Sequence, residues 1–331
     1  VTSDCRVLVV GEVLVDLLPA GPAGDGAMPL EGRFGGSPAN VAVGLARLEA
    51  PVRFAGRLAK GGYGPWLRRH LEGENVDLSR AVAADEPCTL AVVTLARDGV
   101  ATYEFYGPGS ADWQWRPSEL PDPETLAGDC VHTGSLATAL SPGAAVLTAW
   151  LGRLRERDDV VVSYDPNIRP SLVGDVDRAG RMVAAVLAHT HLVKASEEDV
   201  SFLRPGLSLD DVARSWLTPS PAGAGPELVV ITMGEQGAKA WHRDGRTLQR
   251  RARPVDVVDT VGAGDSFTAG LLAALRSSGW LSPRGLAALD DDALAGAIDY
   301  ALAAAAITCS RAGADPPRRP ELPDGAGSVI S

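Results

Sequence analysis

Asp259-Thr-Val-Gly-Ala-Gly-Asp-Ser-Phe-Thr-Ala-Gly270 is the most informative stretch of this 331-residue chain. It follows the strand-like Pro254–Val258, and after it Phe267, Leu271, Ala274 and Leu275 recur at helical spacing, which predicts a helix beginning near Gly264. Strand, glycine-rich turn and helix come in that order, as in a parallel α/β unit. The amides of Gly262, Ala263 and Gly264 can converge at the positive end of the helix, an arrangement suited to an anion. Asp265 then falls in the first helical turn, beside that anion. A carboxylate facing a phosphate has a purpose if it accepts a proton from an attacking hydroxyl. It needs no ligand if it only caps the helix dipole, and the stretch by itself leaves both readings of Asp265 open. A dinucleotide fingerprint fits less well, because Phe267 stands at the third glycine position, and neither GxxxxGK[ST] nor HExxH occurs.

The rest of the chain repeats the α/β rhythm. Short buried runs at Arg6–Gly11, Val160–Tyr164, His191–Lys194 and Leu228–Thr232 read as strands. Helical patterns lie between and around them at Val41–Leu48, Gly64–Leu71, Ala144–Leu154, Ala179–Ala188 and Leu209–Leu217. The expected class is α/β, a Rossmann-like, mostly parallel sheet covered on both faces by helices. Thr89–Leu95 and Ala101–Tyr106 depart from the rhythm. They flank Arg97-Asp98-Gly99-Val100, a hairpin signal, and with the extended Val13–Leu18 and Pro29–Phe34 they suggest a small β-sheet lid. The alternative is an edge extension of the main sheet. The expected division is a core of 1–12, 35–86 and 108–331 with a lid of 13–34 and 87–107.

Composition narrows the function classes. The chain is 45% hydrophobic and 22% charged, as globular proteins are, with a net charge of −11. An acidic chain of this kind is a poor nucleic-acid binder, so no nucleic-acid partner is expected, and a phosphate ligand must be held by local devices. Cys5, Cys88, Cys130 and Cys309 form no CxxC or Cys/His cluster and read as structural thiols. Asp4, Arg6, Glu12 and Asp16 interrupt the apolar N-terminal stretch, and the apolar run Tyr300–Cys309 is too short to cross a bilayer. No membrane partner is expected, and a cytoplasmic location is.

Gly35-Gly-Ser-Pro-Ala-Asn40-Val-Ala-Val-Gly-Leu-Ala-Arg-Leu48 is a second glycine-led helix start, with Ser37 as the expected N-cap and Pro38 at the first helical position. Gly35 and Gly36 permit close approach of a ligand, and Asn40 offers a donor and an acceptor to a hydroxyl-rich one. A tight turn explains the glycines equally well.

Together, in this order and about 225 residues apart, the two segments resemble the two signatures of the ribokinase-like (PfkB) family of carbohydrate kinases. The resemblance extends over nearly the whole chain and implies a sugar kinase with ATP at the C-terminal strand ends and a sugar beneath the lid. Asp265 is then the catalytic base, with Gly262, Ala263 and Gly264 as the anion hole. Gly11-Glu-Val-Leu-Val-Asp16 resembles the first strand leading a substrate-binding Asp16 toward the lid. Asp16, Gly35, Gly36, Asn40, Tyr106, Asn167 and Arg169 are accordingly assigned to substrate, although Asp165, Asn167 and Arg169 in Asp165-Pro-Asn-Ile-Arg-Pro170 also read as strand-end caps. Lys194 and Ser196, with Thr232, Gly234 and Gly237 of Thr232-Met-Gly-Glu-Gln-Gly237, are assigned to the nucleotide. Asp199 is assigned to magnesium through water, in a motif where Ser196 and Asp199 replace the usual Asn and Glu.

The resemblance also implies potassium beside the anion loop, held by Asp259 and backbone carbonyls of Val261, Thr308, Arg311 and Gly313. The alternative for Asp259 is a cap on the loop's own N–H groups. Pro317 stands where some relatives offer a serine to that ion. Within the family, the Gly11-Glu12 and Gly35–Asn40 patterns follow fructokinases more than ribokinases, and Gly107 after Tyr106 removes an Arg common in 2-keto-3-deoxygluconate kinases. Fructose is the expected substrate, with Mg²⁺-ATP as donor, the keto-acid or ribose as alternatives, and a homodimer formed through the hairpin as a further expectation. A non-catalytic sugar-binding regulator on the same fold is the rival from another class.

Overall fold

Val7–Val10 is the strand on which the molecule is built, and all four of its side chains are fully buried. Val7 and Val9 join one hydrophobic core while Leu8 and Val10 join the other, because alternate residues of a strand face opposite sides of the sheet. A continuous apolar run of this kind is what a sheet covered on both faces demands. The computed structural model describes residues 5–21, 24, 26–95, 101–220 and 223–323.

The main sheet has eight strands, in the spatial order Thr247–Arg250, Ala238–His242, Leu228–Thr232, Leu192–Ser196, Val161–Asp165, Cys130–Gly134, Val7–Val10 and Val52–Ala55. Those from Leu228–Thr232 to Val52–Ala55 are parallel, and the first two pair antiparallel. Helices Ser37–Arg47, Ala263–Ser277 and Asp291–Cys309 cover one face; Gly143–Arg155, Val176–Leu187 and Leu209–Leu217 cover the other. Asp291–Cys309 is long and apolar enough by composition to cross a membrane, but here it packs along Ala263–Ser277, with Ile298, Ala301 and Leu302 in the core.

A second, four-stranded sheet has the order Leu30–Gly35, Leu14–Pro19, Leu90–Leu95, Ala101–Tyr106. Leu90–Leu95 and Ala101–Tyr106 pair antiparallel with Leu90 opposite Tyr106 and Leu95 opposite Ala101. Their connection, with the Asp98-Gly99 turn, lies outside the described residues. This sheet is separate from the main one, so it is not an edge extension of it. Its base is pinned by Asp112, a buried carboxylate that accepts the Val13 N–H at 3.0 Å and the Thr89 hydroxyl at 2.6 Å.

Two local expectations are corrected. Pro254–Val258 is not a strand: Val257 and Val258 are 58% and 64% exposed, and the segment runs outside the sheet to the end of the Asp291–Cys309 helix, where Val258 N–H donates to the Cys309 carbonyl at 2.8 Å. Alternating β-branched residues satisfy the strand pattern, but no neighbouring face buries them. Ser37 is not the N-cap either. Gly36 holds that position at φ 103, and the Ser37 hydroxyl is directed elsewhere.

Candidate active site

The parallel strands end together, and the chain just beyond them supplies a single pocket of about 430 Å³. Glu12 and Asp16 come from the segment after Val7–Val10, Ser135 and Leu136 from beyond Cys130–Gly134, and Asn167 and Arg169 from beyond Val161–Asp165. Lys194 lies near the end of its own strand. Ser37 and Asn40 enter from one helix, Gly262, Gly264 and Asp265 from another, and Tyr103 and Phe105 from the small sheet. Crevices at the carboxyl ends of parallel strands are where open α/β sheets bind ligands.

Asp265 is buried, 9% exposed, in the first turn of Ala263–Ser277. Ser37 donates its hydroxyl to Oδ1 at 2.6 Å and Asn40 its amide to Oδ2 at 2.8 Å. Both signature segments therefore meet on one carboxylate. The Ala263 N–H is turned back to the Thr260 carbonyl at 3.2 Å, so the pocket-lining members of the expected anion hole are Gly262 and Gly264. Gly35 and Gly36 are needed for space and backbone shape. A Cβ on Gly35 would lie 2.3 Å from an Asp16 carboxylate oxygen, and one on Gly36 2.7 Å from the Glu12 carbonyl, at a φ that side chains rarely adopt.

Lys194 Nζ pairs with Asp165 Oδ2 at 2.9 Å, both fully buried. Burial pulls the ammonium down, but Asp165, Asp199 and Asp265 together hold it above its ordinary value. Burial pushes Asp165 up to about 6, still acidic enough for the pair to be ionised at neutral pH. A Cβ on Gly264 would stand 2.9 Å from Nζ, so the ammonium faces the helix N-terminus and reinforces its positive field. Burial raises Asp16 to about 6 against the opposing pull of Arg169, with Asp265 adding to the rise. Arg169 donates to the Asn167 side-chain oxygen at 2.7 Å. Asn167 and Ser135 both line the pocket at positive φ, 36° and 52°, local backbone strain that the surrounding fold must sustain.

Other expected residues fall elsewhere. Tyr106 is 56% exposed on the opposite face of its strand from Tyr103 and Phe105, because neighbours in a strand alternate; the two that line the pocket are the residues at the other parity. Ser196 and Thr232 sit side by side at the ends of adjacent strands, next to the Gly234–Gln236 turn and Gly237, and none of the four lines this pocket. Asp199 closes a capping box with Ser196: one oxygen accepts the Ser196 N–H at 3.0 Å and the other the Ile168 N–H at 2.7 Å. The aspartate thereby clamps two loops together. Among the described residues no three His, Cys, Asp or Glu side chains form a metal-binding group.

Asp259 is likewise engaged as a loop cap, accepting the Val261 N–H at 3.0 Å and the Gly313 N–H at 2.8 Å. The Thr308 and Gly313 carbonyls accept the Arg311 and Asp315 N–H groups, and the Arg311 side chain pairs with Asp315 and Glu321. Gly313 does adopt positive φ, 73°. Thr308 is buried and bonds through its hydroxyl to Ser266 at 2.7 Å, tying the end of one helix to the turn that carries Asp265.

Sequence reasoning missed Glu12 as a site residue. It is buried in the pocket wall, accepts the Ala137 N–H at 3.2 Å, and burial lifts its carboxyl to about 7. Its traces were an acid interrupting an apolar run and a place in the Gly11-Glu12 pattern, neither of which assigned it to the site. Ser135 had no local signal.

A buried carboxylate at a helix N-terminus, beside an ionised lysine and facing a pocket of polar side chains, defines a group-transfer site for an anionic donor and a hydroxyl acceptor. The chain matches the pfkB family carbohydrate kinase model over residues 5–321 and belongs to that family. It is 36% identical to a fructokinase from Rhizobium leguminosarum bv. trifolii over 87% of this chain and 85% of that one, and 38% identical to a fructokinase from Klebsiella pneumoniae over 87% and 89%. Among solved structures, the fructokinase from Xylella fastidiosa with bound ATP superposes with a TM-score of 0.82 at 26% identity, covering 93% of each chain. A Vibrio cholerae O395 fructokinase double mutant in a fructose, ADP and potassium ion bound form gives 0.79 at 26% identity, covering 95% of each.

Proposed function

We propose that this chain transfers the γ-phosphoryl group of ATP to a primary hydroxyl of free fructose, giving fructose 6-phosphate, with Asp265 as general base. The observation that carries the reading is the convergence of Ser37 and Asn40 on Asp265 within the pocket that also holds Asp16, Gly262 and Gly264. The attacking hydroxyl gives its proton to the Asp265 carboxylate as its oxygen bonds to the γ-phosphorus, the bond from that phosphorus to the β,γ-bridging oxygen breaks, and ADP leaves with the electron pair. The Gly262 and Gly264 amides and the Lys194 ammonium stabilise charge on the transferring group. Asp16 and Asn40 orient the acceptor through hydroxyl hydrogen bonds.

Glu12, Asp16 and Asp265 offer acceptors to hydroxyls, and Arg169 is bonded to Asn167, which suits a neutral polyol better than a phosphorylated sugar. The relatives named fructokinase support fructose in particular. The small sheet acts as a lid, its Tyr103 and Phe105 facing the sugar and excluding water. The exposed Met28, Leu30 and Tyr106 of this sheet and its connection suit a clasp between two copies.

Magnesium would neutralise phosphate charge on arriving with ATP, held chiefly by phosphate oxygens and water, and Asp199, whose oxygens already accept the Ile168 and Ser196 N–H groups, would meet it through that water. The Asp259 loop fits a weakly held potassium ion, since each engaged carbonyl keeps a second lone pair. Activation is expected at about tens of millimolar potassium, the affinity of one weak site. Replacing potassium by tetramethylammonium at constant ionic strength should lower kcat; equal rates refute the ion's role.

The principal test is Asp265→Asn across a panel of fructose, ribose and 2-keto-3-deoxygluconate. The variant should fold and bind ATP but lose about 10²–10⁴-fold in turnover, the worth of a general base. Near-parental turnover would return Asp265 to a helix cap. In the parent, fructose should give the highest kcat/KM.

A further inference from the structure

Water is as good a nucleophile as a sugar hydroxyl, and a pocket that accepts one admits the other. Discrimination must therefore come from position, because the two differ little in reactivity. The Asp265 carboxylate shows how the position is controlled. Its Oδ1 is already occupied by the Ser37 hydroxyl at 2.6 Å, from a side chain that is 8% exposed and lines the pocket. The backbone corner that carries Ser37 is closely packed: a Cβ on Gly36 would lie 2.7 Å from the Glu12 carbonyl.

We infer that Ser37 guards the base: its hydroxyl takes the lone pair of Asp265 Oδ1 that faces the pocket and stands where a water would sit when no sugar is present, so that water is not held and deprotonated there. The inference rests on Asp265 being the base. A sugar arrives with several hydroxyls, and its contacts with Asp16 and Asn40 supply the free energy to displace one hydrogen bond. Water has no such second contact and does not displace it. Ser37 is thus a positioning residue that makes phosphoryl transfer conditional on the acceptor.

Removing the hydroxyl opens Oδ1 to water. In Ser37→Ala a water on Oδ1 gives its proton to Asp265 while its oxygen bonds to the γ-phosphorus. The bond from that phosphorus to the β,γ-bridging oxygen breaks, ADP leaves with the electron pair, and Asp265 releases the proton to solvent. The products are ADP, inorganic phosphate and a proton.

The experiment measures ADP release by the full chain with Mg²⁺-ATP, with and without fructose, for the parent, Ser37→Ala, Ser37→Thr and Ser37→Cys. The ratio of sugar-free to sugar-dependent release should rise about tenfold in Ser37→Ala, the kinetic equivalent of one hydrogen bond. Ser37→Thr keeps the hydroxyl and should hold the parental ratio, and Ser37→Cys, a weaker donor, should fall between. A Ser37→Ala ratio within about threefold of the parent, less than a hydrogen bond's worth, overturns the guard. So does excess hydrolysis that survives in Ser37→Ala with Asp265→Asn, because the water would not be using the base. Failure of the base itself reads differently: sugar-dependent turnover then persists in Asp265→Asn alone.

Discussion

Glu12 links the chemistry of one residue to the stability of the whole chain. Its carboxyl titrates at an ordinary 4.5 when exposed and is lifted to about 7 by burial, so the folded state holds the proton more tightly than the unfolded state. Stability is therefore lost as pH rises from about 4.5 to about 7 and is flat above that window. Glu12→Gln keeps an oxygen to accept the Ala137 N–H and has no proton to lose. Its melting temperature should exceed the parent's by more at pH 8 than at pH 5; a difference independent of pH would show that Glu12 does not titrate in this window. Asp16 shares the sign of the shift, and in the proposed reaction protonation below about pH 6 would remove an acceptor for the sugar. Both carboxyls in the pocket wall are thus held at some cost in folding free energy, as functional carboxylates commonly are.

At the scale of elements, the short helix Glu197–Leu203 shows how one carboxylate can join a helix start to a neighbouring loop. The Ser196/Asp199 box satisfies the helix's first amides, and the remaining Asp199 oxygen reaches across to Ile168, beside Asn167 and Arg169 of the pocket wall. Asp199→Ala removes both bonds and should cost about 1–3 kcal/mol, the range for a lost cap with an orphaned buried amide. Urea unfolding measures that loss, and the magnesium concentration giving half-maximal rate should rise only slightly, because the carboxylate would meet the ion through water. An unchanged unfolding midpoint with a magnesium requirement raised about tenfold would make the carboxylate a direct ligand of the ion instead. The helices Ala263–Ser277 and Asp291–Cys309 are coupled in a similar way through Thr308 and Ser266, so the turn bearing Asp265 is anchored to a helix whose own end carries the Asp259 cap.

Taken whole, the molecule is an α/β body with a second sheet over its pocket. The body has a core on each face of its sheet, and the small sheet joins one of them through Val15 while its outer residues Leu30, Tyr103 and Tyr106 are exposed. Exposed outer strands open locally more easily than a covered sheet. If Tyr103 and Phe105 close over the sugar as proposed, fructose should slow amide exchange in Leu90–Leu95 and Ala101–Tyr106, while ATP alone leaves it unchanged. Exchange in these strands that is the same with and without fructose would refute the lid.

Periodicity and turn chemistry are local properties, and what depends on them was legible in the sequence. Leu209–Leu217, Leu228–Thr232 and Ala101–Tyr106 occur with the expected bounds, and the glycine loop opens a helix one residue before the expected start. Cys130–Gly134 escaped notice because His132 and Thr133 break its apolar run, yet at the centre of the sheet even these are buried, with His132 bonded to Ser163 on the next strand. Pro254–Val258 has the composition of a strand but no neighbour to pair with. Which parity of Tyr103, Phe105 and Tyr106 faces the pocket depends on what the small sheet packs over, and Asp199 serves as a clamp because Ile168 is brought to it. The meeting of Ser37 and Asn40 with Asp265 spans 228 and 225 residues. The sequence by itself determined the α/β class, the glycine loops and the identity of the carboxylate; only the packing of two helices on one face of the sheet decided which donors reach it, because hydrogen bonds between distant segments are set by how their elements dock.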